Sequence, residues 1–258
     1  MGAMRGYGDD LAHIHDVAFS DYGRNAAPGL LQILRRKGIT SGLVVDLGCG
    51  SGRWARELNQ RGYAAMGVDQ SPALIRLARK IAPQSKFMLA SLWSVKLPEC
   101  DAVTSIGECL NYCFDRKTGN RELAGLFGRV HRALRPGGVF IFDVAEPARI
   151  PEDLPRRTWS QGADWAILVE TAGDRSRKAL TRRIVCFRKI GGRYRRSEET
   201  HRLQLYRADE IVEMLHRTGF QVECVRNYGR FRLPPGMAAF VARKQKERDS
   251  HRLRDGVL

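Results

Sequence analysis

A glycine-rich stretch from Asp46 to Gly52 (DLGCGSG) follows an apolar run that ends in an acid. Glycines at a strand-to-helix turn let a ligand touch the main chain, and the following helix begins with unpaired N–H groups. A dinucleotide site requires the pattern G-x-G-x-x-G, but Arg53 occupies the place of the third glycine. Asp46 would also repel a pyrophosphate in a cleft of low dielectric constant. The stretch therefore favours a cationic amino-acid type of cofactor, one that carries an ammonium and a sulfonium.

A second acid, Asp69, ends the next predicted strand. A carboxylate at this position can accept hydrogen bonds from both hydroxyls of a ribose. The alternative is that Asp69 only caps the following helix, but Ser71 already occupies the N-cap position before Pro72. We therefore expect Asp69 to bind a ribose.

Several side chains could move a proton or orient a second substrate. The stretch 106–112 follows the fourth predicted strand, at the carboxyl edge where open α/β sheets bind ligands. Within it, Glu108 could accept a proton or hold an ammonium group, while Asn111 and Tyr112 could orient the substrate. His15, near the N-terminus, is a candidate base near neutral pH. The alternatives are that Glu108 binds backbone amides and that Tyr112 packs against a lid.

Strands and helices must alternate to bring these residues together. The predicted strands are 43–46, 64–68, 86–89, 101–106 and 139–144. Residues 30–37 are predicted to be the end of a helix, and further helices are predicted at 52–61, 72–81 and 121–134. This alternation predicts an α/β fold with a parallel sheet covered on both faces. Three strand-like stretches without a helix follow at 165–171, 180–190 and 194–205, and then a helix at 208–217 and strands at 221–226 and 237–243.

Three motifs occur in order along the chain: DLGCGSG at 46–52, VDQS at 68–71 and LRPGGVFIFD at 134–143. Together they resemble the class I S-adenosylmethionine-dependent methyltransferases, closely over 40–145 and loosely over the C-terminal helix–strand–strand. The resemblance implies a doubly wound, Rossmann-like sheet of seven mostly parallel strands whose last strand is reversed. It also implies an antiparallel β insertion before the penultimate strand, like that of small-molecule methyltransferases, including amino-sugar N-methyltransferases.

The resemblance also implies which residues bind the cofactor, S-adenosyl-L-methionine. Those beside its methionine part are Asp46, Gly48, Cys49 and Gly50. Those beside its ribose and adenine are Asp69, Gln70, Ser91 and Leu92. Ile106 and Gly107 would border the methyl group, and Tyr22 would lie against the cofactor. The family more often has Asp at the position of Ser91, so the sequence departs from the pattern there.

Four segments follow from this reading. They are an N-terminal helical cap (1–39), a methyltransferase core that binds the cofactor (40–147 and 207–243), an antiparallel insertion that serves as a lid or for dimerisation (148–206), and a charged tail (244–258). A homodimer through the insertion is therefore a predicted assembly.

Methyl transfer from a sulfonium is an in-line displacement, so the protein mainly aligns and desolvates the nucleophile. A base is needed only when the nucleophile arrives protonated. We predict transfer to nitrogen or oxygen of a small-molecule acceptor. The catalytic candidates are Glu108, His15 and Tyr112, and the acceptor-binding candidates are Asn111, His201 and Arg230. For His201 and Arg230 the alternative is a place on the surface.

The net charge of +16 suits either an acidic partner such as RNA or an arginine-rich solvated surface. A tRNA or rRNA methyltransferase is therefore an alternative, but residues 107–110 read GECL, where such enzymes carry an N/D-P-P-[YFW] motif. A non-catalytic S-adenosylmethionine-binding protein is a further alternative. The chain shows no signal peptide, no bilayer-length apolar run, no metal-ligand cluster and no C-x-x-C pair, so we expect a cytoplasmic protein with reduced cysteines and no metal.

Overall fold

The fold was analysed in a computed structural model that describes residues 6–114 and 119–246. Its helices are α1 (Asp9–Ala18), α2 (Asp21–Arg36), α3 (Arg53–Asn59), α4 (Pro72–Ile81), α5 (Asn120–Ala133) and α6 (Ala208–Arg217). Its strands are β1 (Gly42–Leu47), β2 (Tyr63–Asp69), β3 (Lys86–Leu89), β4 (Cys100–Ser105), β5 (Leu134–Ala145), β6 (Arg156–Gln161), β7 (Trp165–Asp174), β8 (Ala179–Ile190), β9 (Arg193–Gln204), β10 (Phe220–Val225), β11 (Asn227–Tyr228), β12 (Phe231–Arg232) and β13 (Met237–Lys244).

A seven-stranded sheet forms the centre of the core, in the order β10-β13-β5-β4-β1-β2-β3. Strand β13 pairs antiparallel with both of its neighbours, whereas the other pairings are parallel. The sheet is therefore mostly parallel with a reversed last strand, which confirms the predicted fold class.

Helices cover both faces of this sheet, and the strands alternate between the two layers. On β1, Val44 packs in a cluster with α2 and α3, whereas Val45 packs in a cluster with α5 and α6. Successive strand residues point to opposite faces, and both valines are fully buried. The continuous apolar run of β1 is thus explained by a strand that has no solvent-facing side.

The start of β5 differs from the prediction. The strand begins at Leu134 instead of residue 139, because Leu134 pairs with Cys100 before the Pro136-Gly137-Gly138 segment shifts the register. Gly137 has a φ of 82°, which favours glycine in this irregular stretch. The sequence-based boundary treated that segment as a turn before the strand.

The insertion forms a four-stranded antiparallel sheet in the order β6-β7-β8-β9. The sequence predicted three of these strands and missed β6, whose six residues are all exposed and so carry no apolar alternation. The predicted turn between β8 and β9 is confirmed, since Ile190 pairs with Arg193 and both intervening glycines have positive φ.

The C-terminal boundary of the core differs from the prediction by one residue. Strand β13 continues to Lys244, one residue into the predicted tail, and residues 247–258 of that tail lie outside the described residues. Within the described ranges, no helix is both long and apolar enough to cross a bilayer.

Asn111 joins the core to the insertion. Its Nδ2 donates to the carbonyl oxygens of Ala145 (3.0 Å) and Gln204 (2.7 Å), and its Oδ1 accepts from the Ala145 amide (2.8 Å). Asn111 is fully buried. Both of its amide hydrogens bind the main chain, so they are not available to the acceptor that the sequence suggested for this residue.

We expect Asn111→Ala to lower the free energy of unfolding by about 3 kcal/mol, because it removes three buried hydrogen bonds to the main chain. Denaturant unfolding measures this. The exposed Asn25 of α2 provides the control, since Asn25→Ala should change stability by less than about 0.5 kcal/mol. Equal effects of the two substitutions would contradict the assigned role.

Candidate active site

A cavity of about 320 Å³ lies at the carboxyl ends of β1, β2 and β4, the edge where open α/β sheets bind ligands. The predicted residues that line it are Tyr22, Asp46, Gly48, Cys49, Gly50, Asp69, Gln70, Leu92, Ile106, Gly107, Glu108, Tyr112 and His15. The structure thus brings most of the proposed cofactor and catalytic residues to one place. The predicted residues absent from its lining are Ser91, Asn111, His201 and Arg230.

The glycines of the loop after β1 serve different purposes. Gly48, Gly50 and Gly52 all have positive φ, between 55° and 78°, a backbone conformation that favours glycine. A Cβ on Gly48 would lie 2.6 Å from the sulfur of Cys109, so protein packing alone requires glycine there. A Cβ on Gly50 would meet nothing within 4 Å. The open space for a ligand therefore lies over Gly50.

Asp69 holds this loop in place. Its Oδ2 accepts from the Gly50 amide (2.9 Å) and its Oδ1 from the Ser71 amide (2.8 Å). Ser71 in turn caps α4 by accepting from the Leu74 amide (3.1 Å), as the sequence predicted. Burial raises the pKa of Asp69, and the backbone donors oppose that rise.

Asp46 lies buried at the end of β1. Trp54 Nε1 donates to Thr104 Oγ1 (3.1 Å), and Thr104 Oγ1 donates to Asp46 Oδ1 (2.7 Å). Burial raises the pKa of Asp46 to about 7; the Thr104 hydrogen bond opposes this rise and the nearby Asp69 carboxylate adds to it. A cation bound in the cavity would stabilise the charged form.

Asp143, at the end of β5, is a functional residue that the sequence reasoning missed. It is fully buried and accepts from the amides of Gly107 (2.9 Å) and Glu108 (2.6 Å) and from the hydroxyls of Tyr22 (3.0 Å) and Tyr228 (2.9 Å). Burial raises its pKa to about 6 despite these four donors. The available signal was an acid ending the otherwise apolar run VFIFD.

Glu108 follows β4 with a φ of 56° and is 9% exposed. Its Oε1 forms an ion pair with Arg182 of β8, and the Tyr112 hydroxyl lies 3.5 Å from the same oxygen. Its Oε2 is buried and has no hydrogen-bond partner among the described residues. The insertion therefore contributes a charged side chain that orients Glu108.

The sequence reasoning also missed Arg182. Burial alone would lower its pKa, but the Glu108 carboxylate outweighs that effect and the pKa is raised. A signal existed in the period-two pattern of β8, because Arg182 falls between Leu180 and Ile184, which both point to the buried side.

A group of aromatic side chains covers the part of the cavity next to Glu108. The hydroxyls of Tyr7 and Tyr112 lie 3.3 Å apart, and the Tyr7 ring packs against the rings of His15 (5.1 Å between centroids) and His201 (5.0 Å). Burial lowers the pKa of His15 to about 4 and raises that of Tyr112 to about 12. His201 is buried behind this group, with its Nε2 2.9 Å from Glu199 Oε2.

The N-terminal cap covers part of the cavity and binds both the core and the insertion. Glu199 of β9 accepts from the amides of Tyr7 and Gly8, each at 2.7 Å. On the other side, the Tyr7 carbonyl accepts from Ser71 Oγ (2.6 Å). Asp16 of α1 accepts from Ser51 Oγ (2.6 Å) in the glycine-rich loop. This N-terminal segment, which we call the roof of the cavity, is thus held by Glu199, Ser71 and Ser51.

Two remaining predicted residues lie outside the cavity. Ser91 Oγ accepts from the Trp93 amide (3.2 Å), and the lining is formed by its neighbours Leu92 and Trp93. Arg230 is exposed between β11 and β12. In the part of the chain that the structure describes, no group of three His, Cys, Asp or Glu residues is placed to hold a metal.

A family model described as a methyltransferase domain matches residues 19–225. The chain belongs to this methyltransferase family. It is an S-adenosylmethionine-dependent enzyme of class I, as the three sequence motifs predicted. The non-catalytic alternative is thereby set aside.

Known proteins resemble this methyltransferase over most of its length. The protein YqeM of Bacillus subtilis (strain 168), itself named as a methyltransferase, is 28% identical over 190 residues, which cover 71% of this chain and 75% of YqeM. The dTDP-3-amino-3,6-dideoxy-alpha-D-glucopyranose N,N-dimethyltransferase of Streptomyces fradiae is 25% identical over 232 residues, 86% of this chain and 88% of the relative. An S-adenosylmethionine-dependent methyltransferase from Clostridium acetobutylicum ATCC 824 has the same fold, with a TM-score of 0.77, 19% identity, and coverage of 91% and 98%.

The residues of this methyltransferase fit a cationic nucleoside. Asp46 is a buried carboxylate with raised pKa, Asp69 ends the neighbouring strand, and Gly50 leaves its main chain open to the cavity. Asp46 suits an ammonium, Asp69 suits the hydroxyls of a ribose, and Gly50 lets a ligand approach the main chain closely.

The pKa of Asp46 predicts a pH dependence of cofactor binding. S-adenosylmethionine should bind about tenfold more tightly at pH 7.5 than at pH 6, because Asp46 loses its proton over this interval and then attracts the ligand's positive charge. Calorimetry over this range measures the effect. Asp46→Asn should bind weakly at both values, whereas Asp153→Asn, at an exposed position, should behave as wild type. A wild-type affinity that does not change with pH would contradict the prediction.

Proposed function

We propose that the enzyme transfers the methyl group to nitrogen or oxygen of a small-molecule acceptor that binds inside the cavity. The observation that supports this proposal is how the roof is held. The Tyr7 amide donates to Glu199 of the insertion, and the Tyr7 carbonyl accepts from Ser71 of the core. Cavities of a few hundred Å³ are typical of small-molecule sites, and a polymeric acceptor would have to displace the Tyr7 segment that lines this one.

On the cofactor side, S-adenosylmethionine supplies a methyl group that is already activated on a sulfonium. We assign the ammonium to Asp46 and the ribose hydroxyls to Asp69. The main chain at Gly50 lies beside the methionine part, with Gly48 and Cys49 in the wall. The adenine would lie among Gln70, Leu92 and Trp93. Ser91 stays a prediction for this end of the site.

On the acceptor side, Glu108 and Tyr112 are the residues that can contact the nucleophile, because both line the cavity. Tyr7 and Phe114 also line it, and their rings exclude water from the reacting groups. His15 faces the cavity as a neutral imidazole, since its pKa is about 4. His201 supports the roof from behind.

The surface arginines of the insertion also favour a small-molecule acceptor over RNA. Arg183 pairs with Glu198 at 2.6 Å, Arg196 pairs with the same carboxylate at 2.5 Å, and Arg195 pairs with Asp10 of α1 at 2.5 Å. Glu198 serves two of these arginines, so the ion pairs reduce the positive charge of this surface without cancelling it, and a reduced charge contributes less to phosphate binding. The relative from Streptomyces fradiae, by its name, methylates the nitrogen of an amino sugar, which supports the same class. The homodimer through the insertion stays a prediction.

A tritium-methyl transfer assay tests this proposal. The enzyme is incubated with labelled S-adenosylmethionine and either a small-metabolite extract or total tRNA. We expect label in the small-molecule fraction and none above background in tRNA. Asp69→Ala, which should weaken cofactor binding, serves as the control that the label depends on this site. Label confined to tRNA would contradict the proposal.

A further inference from the structure

We propose that the acceptor is an amine whose N–H group is bound by Glu108 Oε2. The inference rests on the proposed function, because it names the class of small molecule that occupies the same cavity. A hydroxyl acceptor is the alternative against which the inference is tested.

The unpartnered oxygen of Glu108 carries the inference. Glu108 is 9% exposed and lines the cavity, and its Oε2 is buried with no hydrogen-bond partner among the described residues. Buried polar atoms without partners are rare and costly. A donor on the ligand would satisfy this oxygen. Hydroxyls, amines and ammonium groups all carry one, but only an ammonium adds the attraction of opposite charges to the carboxylate.

The position of this oxygen is fixed by contacts from three elements. The Glu108 amide donates to Asp143 of β5 (2.6 Å), and Oε1 is paired with Arg182 of β8. Tyr112 lies beside the same Oε1. Oε1 is therefore already engaged by the protein, so Oε2 is the oxygen left for the acceptor.

Among the groups on this side of the cavity, neither His15 nor Tyr112 can serve as the base that a hydroxyl acceptor needs, which leaves Glu108 alone for that role. A hydroxyl attacks efficiently only if a base removes its proton during the reaction. His15 is a weak base because burial lowers its pKa to about 4, and Tyr112 remains protonated near neutral pH because burial raises its pKa to about 12. A neutral amine, in contrast, attacks through its lone pair and needs to lose a proton only afterwards.

The proton and electron balance follows from this geometry. The nitrogen lone pair forms the new N–C bond while the methyl–sulfur bond breaks, and the electron pair of that bond stays on sulfur. The methylated nitrogen then gives one proton to Glu108 Oε2, which releases it to solvent. The positive charge that forms on nitrogen is stabilised by the carboxylate beside it.

Matched probes test the binding step without any turnover. Calorimetry in the presence of adenosylhomocysteine compares 3-amino-3-deoxy-D-glucose with D-glucose, and cyclohexylamine with cyclohexanol. In wild type we expect each amine to bind about tenfold or more tightly than its alcohol, because its ammonium form adds the attraction of opposite charges to the hydrogen bond that either group can donate to Glu108.

The variants assign this preference to Glu108. In Glu108→Gln the amine should lose most of its advantage, whereas Glu213→Gln, at an exposed position on α6, should keep it. Equal or absent binding of the amine and its alcohol in wild type overturns the inference, even if Glu108→Gln does not fold. An undiminished preference in folded Glu108→Gln overturns it as well.

The position of the methyl group in the labelled product separates this inference from the proposed function. Mass spectrometry of a small-molecule product should show an N-methyl group. An O-methyl product overturns the amine inference while leaving the proposed function intact, whereas label found only in tRNA overturns the proposed function itself.

Discussion

Three carboxylates at the carboxyl edge of the sheet constrain the whole site, and two of them, Asp46 and Asp143, are buried. Asp46, Asp69 and Asp143 lie at or within two residues of the ends of β1, β2 and β5, and desolvation raises the pKa of each. A buried charge is costly unless donors or a cation compensate it. Asp143 accepts from four donors and Asp69 accepts from the amides of Gly50 and Ser71, but among the residues that the structure describes Thr104 is the one hydrogen-bond donor to Asp46. The arrangement therefore favours a ligand's positive charge beside Asp46.

The same carboxylates connect the cofactor side to the acceptor side. Asp143 binds the amides of Gly107 and Glu108 and, through Tyr22 and Tyr228, the helix α2 and strand β11. The position of Glu108 thus depends on a residue of the central sheet. The insertion completes the site by supplying Arg182 to Glu108 and Glu199 to the cap. Core, cap and insertion consequently all contribute to one cavity. The insertion can therefore adapt the common methyltransferase fold to a particular acceptor.

Local signals were sufficient for the parts of the fold that depend on neighbouring residues. Helix α4 was predicted at Pro72–Ile81, as observed, because Ser71 provides the cap and Pro72 suits the first turn. The apolar run of β1 and the glycines after it likewise identified the cofactor loop, because these residues are adjacent in the chain. Strand β6 gave no signal because its side chains are exposed on both faces and only pairing with β7 defines it.

The site was less predictable because its contacts join residues far apart in the chain. Arg182 lies 74 positions from Glu108 in sequence, and Asp143 lies 35 positions from it. Asn111 has the side chain expected of an acceptor contact, yet it binds the main chain of Ala145 and Gln204 instead. Residue type and spacing identified the cofactor loop, whereas the partners of Glu108 depended on how the insertion folds over the core.

A crystal structure with adenosylhomocysteine tests the central claim most directly, because the claim concerns where charge and open space meet. The account predicts the amino group of the ligand beside Asp46, the ribose hydroxyls on Asp69, and the sulfur facing the Glu108 side of the cavity. A nucleoside bound outside this cavity, or bound with its adenine beside Asp46, would contradict the account.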